Sequence, residues 1–398
     1  MNKINDVKII ALVLHSESSG TSVDLSDMFT SLVISESIYT QFTTGNITLV
    51  DTKGLLEILP VRGDEKIIVS FTGSEILSMK PYQKVFDIYK IMNVDSLDAM
   101  RAKIYTFHLA SVISDRSKRN KLRIGFDDIP SNMVKSICEN TLNIKNIKVE
   151  DSKNKIKYIV PGRSPLQAIS QISEVAQHIG DLESASYLFY EDKDNFNFKS
   201  IEHLLSQPTK YTFKQGISLE NNSIDFYRLT KLNIDNYFDT DKKSTVGSLG
   251  SVQYTVDVIN KVCNKLEKTP ADMFPSVVKI ESTAADLKTT DLDSGKRYAS
   301  TAYLEEYNVG SSFQSASRKY VLGQLTNFKL VGETIGNSDI VIGSIADIDV
   351  DTINAGNKDL YDKSMSGKYI ISAVKHVVTK ENYISTIEFR KPTLRQES

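Results

Sequence analysis

Apolar and polar positions alternate with a period of two over much of the chain's first stretch, to about residue 113. Val7 to Leu14 is a β-branched and aliphatic run. Ile47, Leu49 and Asp51 alternate with Asn46, Thr48 and Val50, while Ile67, Val69 and Phe71 share one face. Val85 to Ile91 and Ile104 to Leu109 repeat the pattern, and Gly45, Gly54, Gly63 and Gly73 fall between the runs. Period-two runs punctuated by glycine predict strands, and strands spaced this regularly predict a small barrel or sandwich. Ser96 to Ala102 is the expected place for a short helical turn or loop.

The texture then changes. Ile129-Pro130-Ser131 opens a predicted helix over Asn132 to Leu142, with Met133, Ile137 and Cys138 on its buried face. A second helix is predicted over Pro165 to Ile179. Ser164 suits the N-cap, Pro165 the first helical position, and Gln167 the capping-box spacing. Leu166, Ile169, Ile172, Val175, Ala176 and Ile179 make its apolar stripe, and Gly180 is placed to close it. Tyr187 to Tyr190 and Phe196 to Lys199 predict a hairpin around Asp192 to Asn195.

From about Tyr211 the β pattern returns with interruptions. Ser248 to Ser251 and Asp291 to Lys296 read as exposed loops, and Ser312 to Leu325 as a helix. Strands are predicted over Asn327 to Val331, Ile340 to Val350, Gly367 to Val378 and Tyr383 to Arg390. The expected class is α+β, predominantly β.

Composition narrows the function. The 398 residues are long enough for several domains and a sizeable core. A net charge of -2 provides no overall field favouring nucleic acid or an anionic membrane. No run approaches the roughly 18 apolar residues of a bilayer span, and Ile9 to Leu14 is too short for a signal-peptide core. Cys138 and Cys263 form no CxxC pattern, which suits a chain made in reducing cytosol.

Candidate chemistry is sparse. None of His15, His108, His178, His203 and His376 sits at metal-ligand spacing from another ligand type. His178 lies beside the apolar stripe of its predicted helix. His108 and His376 lie in apparent strands and read as hydrogen-bonded structural histidines. No GxSxG, P-loop, GxGxxG or HExxH motif occurs. Gly247 to Ser251 lacks the lysine and following helix of a phosphate cradle and reads as a mobile loop. Asp347, Asp349 and Asp351 alternate along one strand face but lack the turn glycine and distal acid of a calcium loop. The basic run Arg116, Lys118, Arg119, Lys121 and Arg123 has no interleaved aromatics and reads as a solvated linker. Catalytic residues, metal sites and cofactors are therefore not expected. Without tryptophan, and with its tyrosines spread along the chain, the sequence shows no carbohydrate-stacking platform.

One block is more specific: Ser35-Glu36-Ser37-Ile38-Tyr39, then Gly45 to Asp51, Pro60, and Gly63-Asp64-Glu65 running to Phe71. Gly45 is read as permitting a turn, Asp51 as capping the loop after its strand, and Gly63-Asp64 as a turn signal before the next strand. Glu65 is read as the start of that strand. This block, with Tyr39, Gly45, Asp51, Gly63 and Glu65 as its signature, resembles the N-terminal tube-like domain of the baseplate hub protein of T-even-type contractile phage tails. Ser164 to Gly180 followed by Tyr187 to Tyr190 is similar to that hub's middle domain. Gly336 to Ile345, with Tyr369 to Val378 and Tyr383 to Phe389, resembles its second tube-like domain.

The resemblance implies two tail-tube-like β-barrel domains with an inserted α+β domain. The first barrel would span residues 1–113, the insert 114–210 and about 256–318, and the second barrel 211–255 and 319–398. It further implies a homotrimer whose six barrels form a pseudo-hexameric ring, adapting a hexameric tail tube to a trimeric central spike. Expected partners are the spike protein, the tail tube or tube-initiator protein, the tape-measure protein and the baseplate wedge. DNA would only pass through the lumen, which Asp347 and Asp349 could line, and no membrane anchor is expected. The setting would be the virion, in the tail baseplate, after assembly in the host cytoplasm.

Three rivals remain. The chain could be the hub of a contractile injection system or bacteriocin, but such fusions continue into a needle, and this chain stops at Ser398 soon after its last predicted strand. A baseplate-associated cell-wall hydrolase would need a carboxylate pair that stands out from chance. A receptor- or sugar-binding β protein would be expected to show exposed aromatic clusters.

Overall fold

The computed structural model describes residues 6–59, 61–73, 79–97, 102–153, 155–180, 186–216, 227–236, 251–257, 261–268, 298–303, 318, 321–323, 325–326, 328–352, 361–362 and 365–391. The N-terminal part contains β1 (Lys8–Ser16), β2 (Ser22–Asp24), β3 (Phe29–Ser37), β4 (Thr44–Asp51), α1 (Leu55–Ile58), β5 (Glu65–Thr72), β6 (Tyr82–Leu97) and β7 (Ala102–Ser111). Its strands run in the order β3-β4-β7-β6-β5-β1-β2. The alternation explains the packing. Leu12 and Leu14, Leu32 and Ile34, Ile47 and Leu49, Ile67 to Phe71, and Tyr105 to Leu109 contribute their inward members to one core. β3 and β1 lie well apart in the strand order yet share this core, so the sheet curls around it.

The middle part has small sheets and helices. It comprises α2 (Ile113–Arg119), β8 (Leu122–Asp128), α3 (Pro130–Asn140), β9 (Ile147–Val149), β10 (Ser152–Lys153), β11 (Ile156–Arg163), α4 (Pro165–Val175), β12 (Gln177–His178), β13 (Tyr187–Glu191), β14 (Phe196–Ser200) and α5 (Ile201–Leu205). α3 and α4 pack their apolar faces, including Met133, Ile137, Cys138, Leu166, Ile169 and Ile172, against Tyr187, Phe189 and Phe198 of the hairpin. Ser164 accepts from the Gln167 amide, and the Gln167 side chain accepts from the Ser164 amide, so the expected capping box forms.

The last part holds β15 (Thr209–Gln215), β16 (Arg228–Leu229), β17 (Lys231–Asn236), β18 (Ser251–Asp257), β19 (Val262–Lys268), β20 (Tyr298–Tyr303), β21 (Phe328–Ile335), β22 (Ile345–Asp349), β23 (Gly367–Thr379) and β24 (Tyr383–Lys391). β18, β19 and β20 form a separate three-stranded sheet. The other seven run in the order β16-β15-β22-β23-β24-β21-β17 around a second core that includes Phe213, Leu330, Ile348, Ile371 and Phe389. β23 joins the halves. Residues 367–370 pair with β22, and beyond an irregularity between Ile371 and Ala373 the strand pairs with β3. Fourteen described strands thus make one sheet. The fold is α+β and predominantly β, with two β halves flanking an inserted α+β part.

Several local expectations change. α4 stops at Val175, and Ile179 is exposed rather than part of the stripe, because His178 has entered β12. Residues 340–344 are not strand, and Ile342 and Gly343 form a turn before β22 begins. Gly343 there has φ +76°, a left-handed conformation that ends extended pairing. The basic run is not a linker: its first part forms α2, with Ile113, Ser114 and Ser117 buried, and its last part enters β8. Ser96 and Leu97 continue β6 and Ala102 begins β7, while 98–101 lie outside the described residues. Pro60, the 248–250 and 291–296 loops, and most of the helix expected over 312–325 also lie outside them. Of that helix, residues 318 and 321–323 are helical.

Candidate functional site

Many contacts among the described residues converge on the seam where β3 meets β23. The strands are antiparallel, with Ile34 opposite His376 and Glu36 opposite Val374. Ile38 extends the contact by donating its amide to the Ser372 carbonyl at 2.9 Å. The tip of the β23–β24 hairpin carries Val378 and Tyr383 into the N-terminal core. There Tyr383 packs edge-on to Phe71, and its hydroxyl meets His376 Nδ1 at 2.9 Å. His376 is fully buried, and burial lowers its pKa to about 3, so it is held neutral.

A charged cluster lies beneath this seam. Glu36, on β3, accepts from the Tyr82 hydroxyl at 2.7 Å. Lys84 Nζ lies 3.2 Å from Glu191 and 3.9 Å from Glu36, so one lysine stands between two buried carboxylates. Lys84 also donates to Thr43 Oγ1 and the Asp192 carbonyl, at 2.7 and 2.9 Å. Glu191 accepts from the Thr43 amide and the Ser111 hydroxyl, at 2.8 and 2.9 Å. Lys193 donates to the carbonyls of Lys80 and Ser338, bringing the β13–β14 turn to the C-terminal half. Burial dominates at Glu36 and raises its pKa to about 7, although Lys84 and Tyr82 pull the other way.

Of the signature residues, Tyr39 and Gly45 lie at this seam, while Asp51, Gly63 and Glu65 brace turns within the N-terminal half. The Tyr39 ring lies 5.1 Å from the Arg390 guanidinium of β24. Gly45 is within β4 and is not a turn residue. A Cβ there would stand 2.8 Å from the Val33 carbonyl oxygen, so the glycine is required by close strand approach. Asp51 ends β4, buried, and its carboxylate accepts from the amides of Lys53 and Leu55, at 2.9 and 2.7 Å, and from the Tyr105 hydroxyl at 3.1 Å. Gly63 has φ +104°, and its amide and that of Arg62 donate to the buried Glu65 carboxylate.

Asp347 and Asp349 share the half-buried outward face of β22, opposite Ile348. In register beside them lie Lys368 on β23 and Lys214 on β15, which makes this face mixed in charge. His178 meets both Glu150 and Ser200, but both approach Nδ1, at 2.7 and 3.1 Å. A serine–histidine relay needs its serine and carboxylate on opposite ring nitrogens. Ser200 instead caps α5 through the His203 amide. The Glu150 hydrogen bond raises the His178 pKa. A cleft of about 460 Å³ between β7, the α3–β9 loop and the β13–β14 turn is lined by charges of both signs, including Lys84, Arg116, Lys145, Glu191 and Asp194.

Sequence reasoning missed Glu36, Lys84 and Glu191 as a unit. One signal was present: Glu36 occupies the inward register of Leu32-x-Ile34-x-Glu36-x-Ile38. A charge in an apolar register requires a buried partner, but nothing in the sequence says which lysine supplies it.

No family model matches the chain. A "Probable baseplate hub protein gp334" of Vibrio phage KVP40 is 23% identical over 285 residues, covering 65% of this chain and 64% of that protein. The match therefore spans less than two thirds of the relative's length. The tail protein from Neisseria meningitidis MC58 shares the fold at TM-score 0.57 and 10% identity, over 98% of this chain and 100% of that one. The 43 kDa tail protein of prophage MuSo2 from Shewanella oneidensis does so at TM-score 0.58 and 10% identity, over 96% and 98%.

Proposed function

We propose that this chain, a relative of phage baseplate hub proteins, is a structural hub subunit that acts by assembly rather than by catalysis. The observation that carries this reading is the pair of seven-stranded halves, each with its own core, joined through β23 into one sheet. A chain that presents two such units in fixed relation can supply two segments of a ring. Three copies then make six segments, matching a hexameric tube on one side and a trimeric spike on the other. In this reading the boundaries are those given above: 1–113, the insert, and the C-terminal barrel. Its partners are the spike, the tube or tube initiator, the tape-measure protein and the baseplate wedge. DNA crosses the lumen without being bound, and the protein resides in the tail baseplate after assembly in the host cytoplasm.

The role of Tyr39 is then to tie the β3–β5 block to the second half, and that of Gly45, Asp51, Gly63 and Glu65 is to keep the block itself in shape. If Asp347 and Asp349 face the lumen, Lys214 and Lys368 face it with them, and the wall there is charge-balanced rather than acidic. The test is mass measurement in solution, with and without the phage's spike protein. A trimer in either condition is the expected result, and a monomer in both overturns the ring. A trimer structure with Asp347 on the outer surface would remove the lumen assignment alone. Turnover on bacterial cell wall that is lost on mutating one acid would replace assembly with hydrolysis.

A further inference from the structure

Glu36 is fully buried, yet its Oε2 has no hydrogen-bond partner among the described residues. Buried carboxylates ordinarily satisfy both oxygens. Its surroundings come from every part of the chain. β6 contributes Tyr82 and Lys84, and β13 with its following turn contributes Glu191, Asp192 and Lys193. β23 and β24 contribute His376 and Tyr383, whose rings lie 5.3 Å from Tyr82 and 5.2 Å from Phe71. The lysine nearest Glu36 is committed more closely to Glu191, and Asp192 is occupied by the amides of Asp194 and Asn195 and by the side chain of Asn197. With His376 neutral and Lys193 shared with Asp339, which lies 3.9 Å from it, the carboxyls of Glu36, Glu191 and Asp192 outnumber the lysines facing them. A proton on Glu36 reduces that excess of negative charge.

We propose that this junction is a proton-sensitive latch: Glu36 holds a proton while the C-terminal hairpin is docked on the N-terminal half, and loss of that proton weakens the docking. The direction follows from linkage. A carboxyl whose folded pKa lies above its unfolded value leaves the closed state with more protons than the open one, so closing becomes less favourable as pH rises between the two values. Here that window runs from the ordinary 4.5 to about 7. The latch is a property of one chain and does not depend on ring formation.

The test compares the full-length protein with Glu36→Gln, which removes the titration and keeps the shape. Amide exchange is measured at pH 5 and pH 8.5, corrected for intrinsic rates. At residues 31–37 and 373–391, protection in the variant relative to wild type should grow on the order of a hundredfold between the two pH values. A ratio independent of pH overturns the proposal. So does exchange at residues 31–37 and 373–391 as slow as that of the slowest amides of β1, β4 and β5, which would mean that the seam opens only with global unfolding. Carbon-13 labelling of glutamate carboxyls gives a second reading, in which a resonance absent from the variant should titrate near 7. Titration in the ordinary carboxylate range overturns the proposal as well.

Discussion

Gly336 presents its bare α-carbon to the ring of Tyr383, and its amide donates to the Tyr383 carbonyl at 2.9 Å. A Cβ at that position would fall far inside van der Waals contact with the ring. The ring cannot easily yield, because it is buried against Phe71 and its hydroxyl is tied to His376. Gly336→Ala should therefore destabilise the protein by about 1–3 kcal/mol or more, the usual range for overpacking. Urea denaturation checks this. A loss under half a kcal/mol would show that the hairpin tip is free to shift.

Asp51, buried at the end of β4, should be costly to remove. Asp51→Ala leaves two amides and the Tyr105 hydroxyl without their acceptor, at about 1–3 kcal/mol for each donor that stays buried and unpaired. Asp51→Asn keeps one oxygen and should lose roughly half as much. Equal losses would mean that the charge matters here and the hydrogen-bond count does not.

Two buried groups give opposed pH dependences. His376 titrates at about 3 when folded, so its contribution is complete above 6.5 and is lost as pH falls toward 3. Glu36 titrates at about 7, so its contribution is lost as pH rises from 4.5 to 7. Between pH 5 and 7 each amounts to about 2 kcal/mol, and they nearly cancel. Wild-type stability should be almost flat over this range. Glu36→Gln should become more stable with rising pH by about 2 kcal/mol, and His376→Gln less stable by a similar amount. Denaturant titrations at pH 5 and 7 on the three proteins decide it, and parallel profiles would refute both assignments.

Lys84→Met should cost about 3–5 kcal/mol, because Glu191 is left charged and buried. Adding Glu191→Gln removes that charge and should recover a large part of the loss. A double variant no better than Lys84→Met alone would place the importance of Lys84 in its bonds to Thr43 and the Asp192 carbonyl.

Local patterns determined much of this molecule. The alternating inward residues of β4, β5 and β7 and the Ser164–Gln167 capping box could be read directly, since each depends on residues a few positions apart. The end of α4 could not, because Val175 through Ile179 continues an apolar helical period. What stops it is pairing of Gln177 and His178 with Lys153 and Ser152, over twenty residues earlier. Gly45 was found but its reason was not, since the Val33 carbonyl that excludes a side chain lies on the neighbouring strand.

The seam marks the same limit on the largest scale. The sequence by itself determined that both ends of the chain are β-rich, that a helical insert separates them, and which faces of their strands are apolar. Only the tertiary structure decided that β23 would leave β22 and continue along β3, placing Glu36 beside Tyr82 and Lys84 and carrying Tyr383 into the other half's core. Strand faces follow from neighbours two residues apart, whereas the pairing of strands more than three hundred residues apart depends on which surfaces remain unburied once each half has formed.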